Sequence, residues 1–141
     1  MSKPAIFVDR DGTLNQMVYD EIHGLMDSPH CPEQVRIIPG AGVALKTFRD
    51  AGYRIVVVSN QPGIAKGTLT EPELHRINQR LLDLLREHEG CWDALYYCPH
   101  HPTEGANPSL VRSCECRKPK PGLLIQAAGE MNIDLARSWM I

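Results

Sequence analysis

No stretch of this chain is apolar for long enough to cross a bilayer, and Met1-Ser2-Lys3-Pro4 runs straight into a short apolar segment rather than a signal-peptide core. No sign of charge dominates either. Fifteen Lys and Arg against 17 Asp and Glu leave −2 at pH 7, which makes no electrostatic case for nucleic acid or an anionic membrane as partner. The five cysteines, Cys31, Cys91, Cys98, Cys114 and Cys116, are odd in number, which argues against a disulfide framework. Internal repeats and low-complexity tracts are missing too. The expectation is a cytoplasmic, monomeric protein whose partner is a small molecule. Hydrophobic residues at 43% and charged ones at 23% are ordinary globular usage, and 141 residues suit a single domain over 1–141.

Apolar runs and their breaks organise what is there. Ala5-Ile6-Phe7-Val8 and Tyr53-Arg54-Ile55-Val56-Val57-Val58-Ser59 read as buried strands of a parallel sheet. Trp92 to Tyr97 reads as a third strand and Ala136 to Ile141 as the start of a fourth. Between them lie helical patterns. The first runs from Gly40, with Val43, Leu45 and Phe48 inward, to Gly52. The second follows the capping box Thr70-Glu71-Pro72-Glu73 and carries Leu74, Ile77, Leu81, Leu82, Leu84 and Leu85; the third covers Leu123 to Met131. Leu14 to Pro39 lacks periodicity and reads as a long loop or cap insertion. Alternating strand and helix imply an α/β, Rossmann-like three-layer sandwich with a mainly parallel sheet.

Chemistry gathers where strands end. Asp9 and Asp11, at i and i+2 after the first strand, repel each other unless a cation or shared proton sits between them, and Mg²⁺ is the natural occupant. A solvated Asp-Gly turn is the plain alternative. Ser59 and Asn60 end the second strand on the same rim, where they can donate to phosphate oxygens or simply cap a turn. Arg117-Lys118-Pro119-Lys120 places cations before a helix, as an anion site or as a solvated basic turn. Cys98-Pro99-His100 with Cys114-Glu115-Cys116 supplies a ligand set suited to closed, structural zinc in a loop at about 98–116. His101 rivals His100 on spacing alone.

Together Phe7-Val8-Asp9-Arg10-Asp11-Gly12-Thr13-Leu14-Asn15, Val57 to Gly67, Tyr97 to Pro102 and Cys114 to Pro119 resemble the haloacid dehalogenase-like phosphatases. The resemblance is strongest to the zinc-containing branch that holds the heptose-bisphosphate and histidinol-phosphate phosphatases. It implies that Asp9 is the nucleophile that becomes an aspartyl-phosphate and Asp11 the general acid and base. It implies that Ser59 and Lys118 hold the phosphoryl group and that Arg10, Asn60, Gln61 and Arg117 line the substrate. Asp9 and Asp11 would carry Mg²⁺, and Cys98, His100, Cys114 and Cys116 zinc. The substrate implied is a small sugar phosphate resembling heptose 1,7-bisphosphate.

Two stretches depart from the family pattern. Gln16 to Gly24 is longer than the family's Gly-Tyr-Val-type substrate loop, which weakens the case for heptose itself. The family continues past its last strand into a Gly-Asp motif that completes the Mg²⁺ site, and Asp134, before the strand, does not replace it. The expectation is therefore a fold truncated at its C-terminus. Three other functions remain open at this point: a histidinol-phosphate-type phosphatase, a non-catalytic zinc-stabilised module, and a redox protein using Cys114 and Cys116.

Overall fold

The computed structural model describes residues Met1–Ile141. The chain opens with β1 (Ala5–Val8), continues through an antiparallel ribbon of β2 (Val18–Asp20) and β3 (Leu25–Asp27), and enters helix α1 (Ala41–Asp50). Strand β4 (Arg54–Asn60), a single helical turn α2 (Gly63–Lys66) and the long helix α3 (Glu71–Arg86) follow. Strand β5 (Ala94–Cys98), helix α4 (Gly122–Met131) and the short strand β6 (Trp139–Met140) complete it.

Alternation along two strands builds both faces of the core. Ile6, Val8, Ile55 and Val57 pack with Leu45 of α1 and Leu74, Ile77, Leu81 and Leu85 of α3. Ala5, Phe7, Val56 and Val58 pack on the other face with Leu123 and Ala127 of α4. A sheet apolar on both faces must be covered on both, which makes three layers. The helices form for local reasons as well. Thr70 and Glu73 cap α3 reciprocally, as the sequence predicts. In α1 the inward face is Ala41, Gly42 and Leu45; Val43, expected inward, points to solvent. Leu82 and Leu84 lie half-buried at the margin of the α3 stripe.

The four main strands are parallel and lie in the order β5-β4-β1-β6. The chain therefore steps from β1 outward to β5 and then returns across to the other side of β1. Such a reversal opens a crevice at the carboxyl ends of the strands beside it. Asp9 follows β1 there, and the pairing of Val8 with Val57 carries Asp9 level with Val58.

Two expectations are corrected. The segment 14–39 is not wholly irregular: it contains the β2–β3 ribbon and a 3-10 turn at Pro32–Gln34. Three-residue strands with exposed side chains give no alternation long enough to read. The last strand is shorter than the 136–141 pattern, because Leu135–Arg137 closes into a 3-10 turn capped by the Asp134 side chain. No helix is long and apolar enough to cross a membrane.

Candidate active site and metal centre

Asp9 and Asp11 leave the same strand into opposite surroundings. The loop after β1 folds back tightly: the Arg10 carbonyl accepts the N–H groups of Thr13, Leu14 and Asn15, and Gly12 takes φ +84°, a left-handed turn suited to glycine. Asp9 stays accessible, with its side chain 38% exposed. Its Oδ1 accepts from the Arg10 N–H at 2.9 Å and from Lys118 Nζ at 2.7 Å, while Oδ2 receives no hydrogen bond. Lys118 Nζ also donates to the Val58 carbonyl at 2.9 Å. The ammonium thus spans the β1 and β4 ends.

Asp11, by contrast, is enclosed by donors. Its Oδ1 accepts from Arg10 Nε at 3.0 Å and from Asn15 Nδ2 at 3.0 Å. Its Oδ2 accepts from Gln61 Nε2 at 2.9 Å. The same Gln61 nitrogen donates to Ser59 Oγ at 2.7 Å, so one amide ties the Ser59 hydroxyl to the Asp11 carboxylate. Ser59 and Gln61 are buried.

All four residues expected to line a substrate are otherwise occupied, Gln61 by Asp11 and Ser59 as just described. Arg10 is 1% exposed, and its guanidinium is shared between Asp11 and Asn78 Oδ1, the latter at 2.8 Å. Asn60 forms a two-point clamp on the Lys118 backbone: its Oδ1 accepts from the Lys118 N–H at 2.9 Å and its Nδ2 donates to the Lys118 carbonyl at 3.2 Å. Arg117 Nη1 donates to the His100 carbonyl at 3.3 Å. Sequence reasoning missed Asn15 and Asn78. Asn78 carried a legible signal, since it sits on the core face of α3 among Leu74, Ile77 and Leu81 and is itself buried. A buried amide requires a partner.

The second cluster lies beyond β5. Cys98 Sγ, His100 Nδ1, Cys114 Sγ and Cys116 Sγ all fall within 4.8 Å of one another. Tetrahedral zinc with bonds of about 2.3 Å to sulfur sets sulfur–sulfur edges of about 3.8 Å. Here Cys98 and Cys116 each lie 3.5 Å from Cys114, and His100 Nδ1 lies 3.2 Å from Cys116. Cys98 and Cys116 approach to 2.8 Å. His101 stands apart; its Nδ1 accepts from the N–H groups of Thr103 and Glu104.

Burial pushes the Cys98 and Cys116 thiols up, and the neighbouring thiols push Cys116 further in the same direction. Burial also acts to raise Cys114, but the Arg117 N–H and the two other thiols outweigh it and bring the thiol down. Burial, aided by the Arg112 charge, lowers His100, which favours the neutral imidazole that metals bind. Three thiols crowded this closely become thiolates together only against a cation. The donor set fits zinc.

For magnesium the test is oxygen chemistry. Asp9 Oδ2 and the Asp11 carbonyl are oxygens that no N–H group occupies. Hard divalent cations take such donors. These two oxygens fit part of a magnesium shell, which Asp9 and Asp11 would supply.

The loop that carries the sulfur ligands also delivers Lys118. Its return into α4 is close: the Gly122 N–H donates to the Glu115 carbonyl at 2.9 Å, and a Cβ at Gly122 would meet that oxygen at 2.2 Å. Only a glycine fits there.

Comparison with known proteins agrees with this geometry. No family model matches the chain. The heptose-1,7-bisphosphate 7-phosphatase of Yersinia pestis is 39% identical over 140 residues, covering 99% of this chain and 70% of that protein. The Haemophilus ducreyi protein of the same name is 42% identical over 142 residues, covering 100% and 72%. Among solved structures, a candidate HAD-like phosphatase from Mesorhizobium loti matches with a TM-score of 0.85 and 34% identity. The D,D-heptose 1,7-bisphosphate phosphatase of B. bronchiseptica, complexed with magnesium and phosphate, matches with a TM-score of 0.72 and 30% identity. This chain spans 62% and 65% of those two solved chains, under two thirds of each. Identity of this order, running nearly end to end through the strand ends just described, shows the lineage: the chain belongs to the haloacid dehalogenase-like phosphatases, a family of phosphomonoester hydrolases, on the branch of the heptose-1,7-bisphosphate 7-phosphatases.

Proposed function

We propose that this protein hydrolyses a phosphomonoester of a small sugar phosphate through a phosphorylated Asp9, with Mg²⁺ as cofactor and zinc holding the 98–116 loop. The observation that carries the reading is the 2.7 Å contact between Lys118 Nζ and Asp9 Oδ1, made across 109 residues of sequence. A nucleophilic carboxylate needs a cation beside it when an anionic phosphoryl group approaches. Lys118 supplies one without occupying Oδ2.

In the first half-reaction Asp9 attacks phosphorus and the ester oxygen departs with a proton from Asp11. Lys118 and the Ser59 hydroxyl hold the phosphoryl oxygens as charge accumulates on them. In the second, Asp11 takes a proton from water, which attacks the aspartyl-phosphate and releases phosphate. Magnesium, when bound by Asp9 and Asp11, would neutralise charge on the transferring group. Heptose bisphosphate is the substrate named for the relatives, and the magnesium–phosphate complex of one of them supports the choice of metal. The β2–β3 ribbon, which carries the divergent segment 16–24, is where selectivity among sugars is expected.

The test is Asp9→Asn. It should lower turnover of a sugar phosphate by at least about a thousandfold, as loss of a nucleophile does, while far-UV circular dichroism and zinc content stay the same. Unchanged turnover would overturn the reading. A panel of heptose bisphosphate, simpler sugar phosphates and an amino-alcohol phosphate separates the sugar phosphatase from the histidinol-phosphate type.

A further inference from the structure

The contacts around Arg10 point away from substrate and into the protein. Its guanidinium has one edge, Nε and Nη2, against the Asp11 carboxylate, with Nη2 3.0 Å from Oδ1 and 3.3 Å from Oδ2. Its remaining nitrogen, Nη1, donates to Asn78 Oδ1 at 2.8 Å. Asn78 projects from the middle of α3, among the leucines that pack that helix on the sheet, and is 8% exposed. A planar guanidinium pinned on both sides cannot rotate about its own axis.

We propose that Asn78 and Arg10 are positioning residues: a rigid post, founded in the hydrophobic layer, that sets the orientation of the Asp11 carboxylate for proton transfer to the leaving oxygen. This rests on the phosphatase reading given above and adds to it. A buried arginine is costly unless its nitrogens find partners, and here Asp11 and Asn78 partner all three. Asn15 and Gln61 hold the carboxylate from its other sides, and none of these donors can follow it if it turns. Proton transfer needs heavy atoms within hydrogen-bond reach, and a misplacement of about 1 Å can cost about a hundredfold. Without Asn78 the guanidinium keeps its charge but loses its anchor, and of the three side chains that fix the direction of Asp11 only Asn15 and Gln61 stay in register.

A positioning role for a general acid has a signature that plain structural damage lacks. A sugar alkoxide cannot depart without a proton, whereas p-nitrophenolate can. The parameter to compare is kcat/KM, which for a ping-pong enzyme reports only steps through departure of the leaving group and so omits Asp11's later work as a base. For Asn78→Ala we expect kcat/KM on the sugar phosphate to fall about 10- to 100-fold, with p-nitrophenyl phosphate changed by no more than about twofold. Asn78→Asp keeps an acceptor for Arg10 but adds a carboxylate that draws the guanidinium from Asp11. It should show the same selective loss and serves if the alanine variant does not fold. An equal loss on both esters, or no loss on either, would overturn the proposal. The parent reading fails separately: wild-type protein inactive on both esters, or Asp9→Asn fully active, would sink the phosphatase assignment itself.

Discussion

The acidic rim and the metal loop face each other across Lys118, and they are held in place by different physics. Rim residues sit at the ends of buried strands, and Arg10, Ser59, Gln61 and Asn78 are buried with hydrogen-bond partners supplied by the core. The loop from Pro99 to Pro121 contains a single buried residue, His100. With so little apolar burial the loop cannot offset the entropy of its own ordering. On the proposed reading a metal held by Cys98, His100, Cys114 and Cys116 would do that work instead, helped by the Gly122–Glu115 contact and the Asn60 clamp. The rim proposed to do acid–base work is therefore built when the sheet packs. On that reading Lys118 arrives only when the loop is pinned.

Removing the metal should break this comparison most visibly. Stripping zinc with a chelator should leave the far-UV circular dichroism of the core largely intact. It should open the 99–121 segment to protease and lower kcat/KM by about a hundredfold, the penalty of a displaced catalytic group. Mass mapping of the cleavage sites checks it, and a loop that remains protected without metal would erase the distinction drawn here.

Asn60→Ala sharpens it next. That variant loosens Lys118 but touches neither the zinc ligands nor Asp11, so zinc stoichiometry should hold while kcat/KM falls about tenfold. If Lys118 serves phosphate rather than the leaving oxygen, as proposed, sugar phosphate and p-nitrophenyl phosphate should lose equally, unlike the Asn78 variants. Kinetics on the two esters side by side make the measurement.

Thr70→Ala gives the smallest effect. It removes the reciprocal cap of α3, and a lost cap in a protein of this size lowers the melting temperature by about 2–4 °C. Activity and zinc content should not move. A thermal scan with a parallel assay tests whether α3 stability and site chemistry are separable away from Asn78.

The strand of Ala5–Val8, the capping box at Thr70 and the soft-ligand cluster of Cys98, Cys114 and Cys116 were legible from residue order, because each is a local pattern, whereas spacing left His100 and His101 as rivals for the fourth place. Asn60 was legible as a rim residue and Arg117 as a cation before a helix, but not what either holds. Both bond to backbone that lies 58 and 17 residues away along the chain, and no local pattern encodes that. The β2–β3 ribbon escaped for a different reason, since its three-residue strands bury little and their pairing depends on a turn rather than a periodicity.

Residue order by itself determined which chemistry was present: two carboxylates after an apolar run, a lysine before a helix, and a soft-ligand cluster between them. Tertiary structure alone decided which groups meet. Arg10, expected from the resemblance to line the substrate, is interior instead, because Asn78, 68 positions later, arrives on the core face of α3 to accept from it. Burial of a charge depends on partners distant in sequence, and only the packed fold brings them within bonding distance.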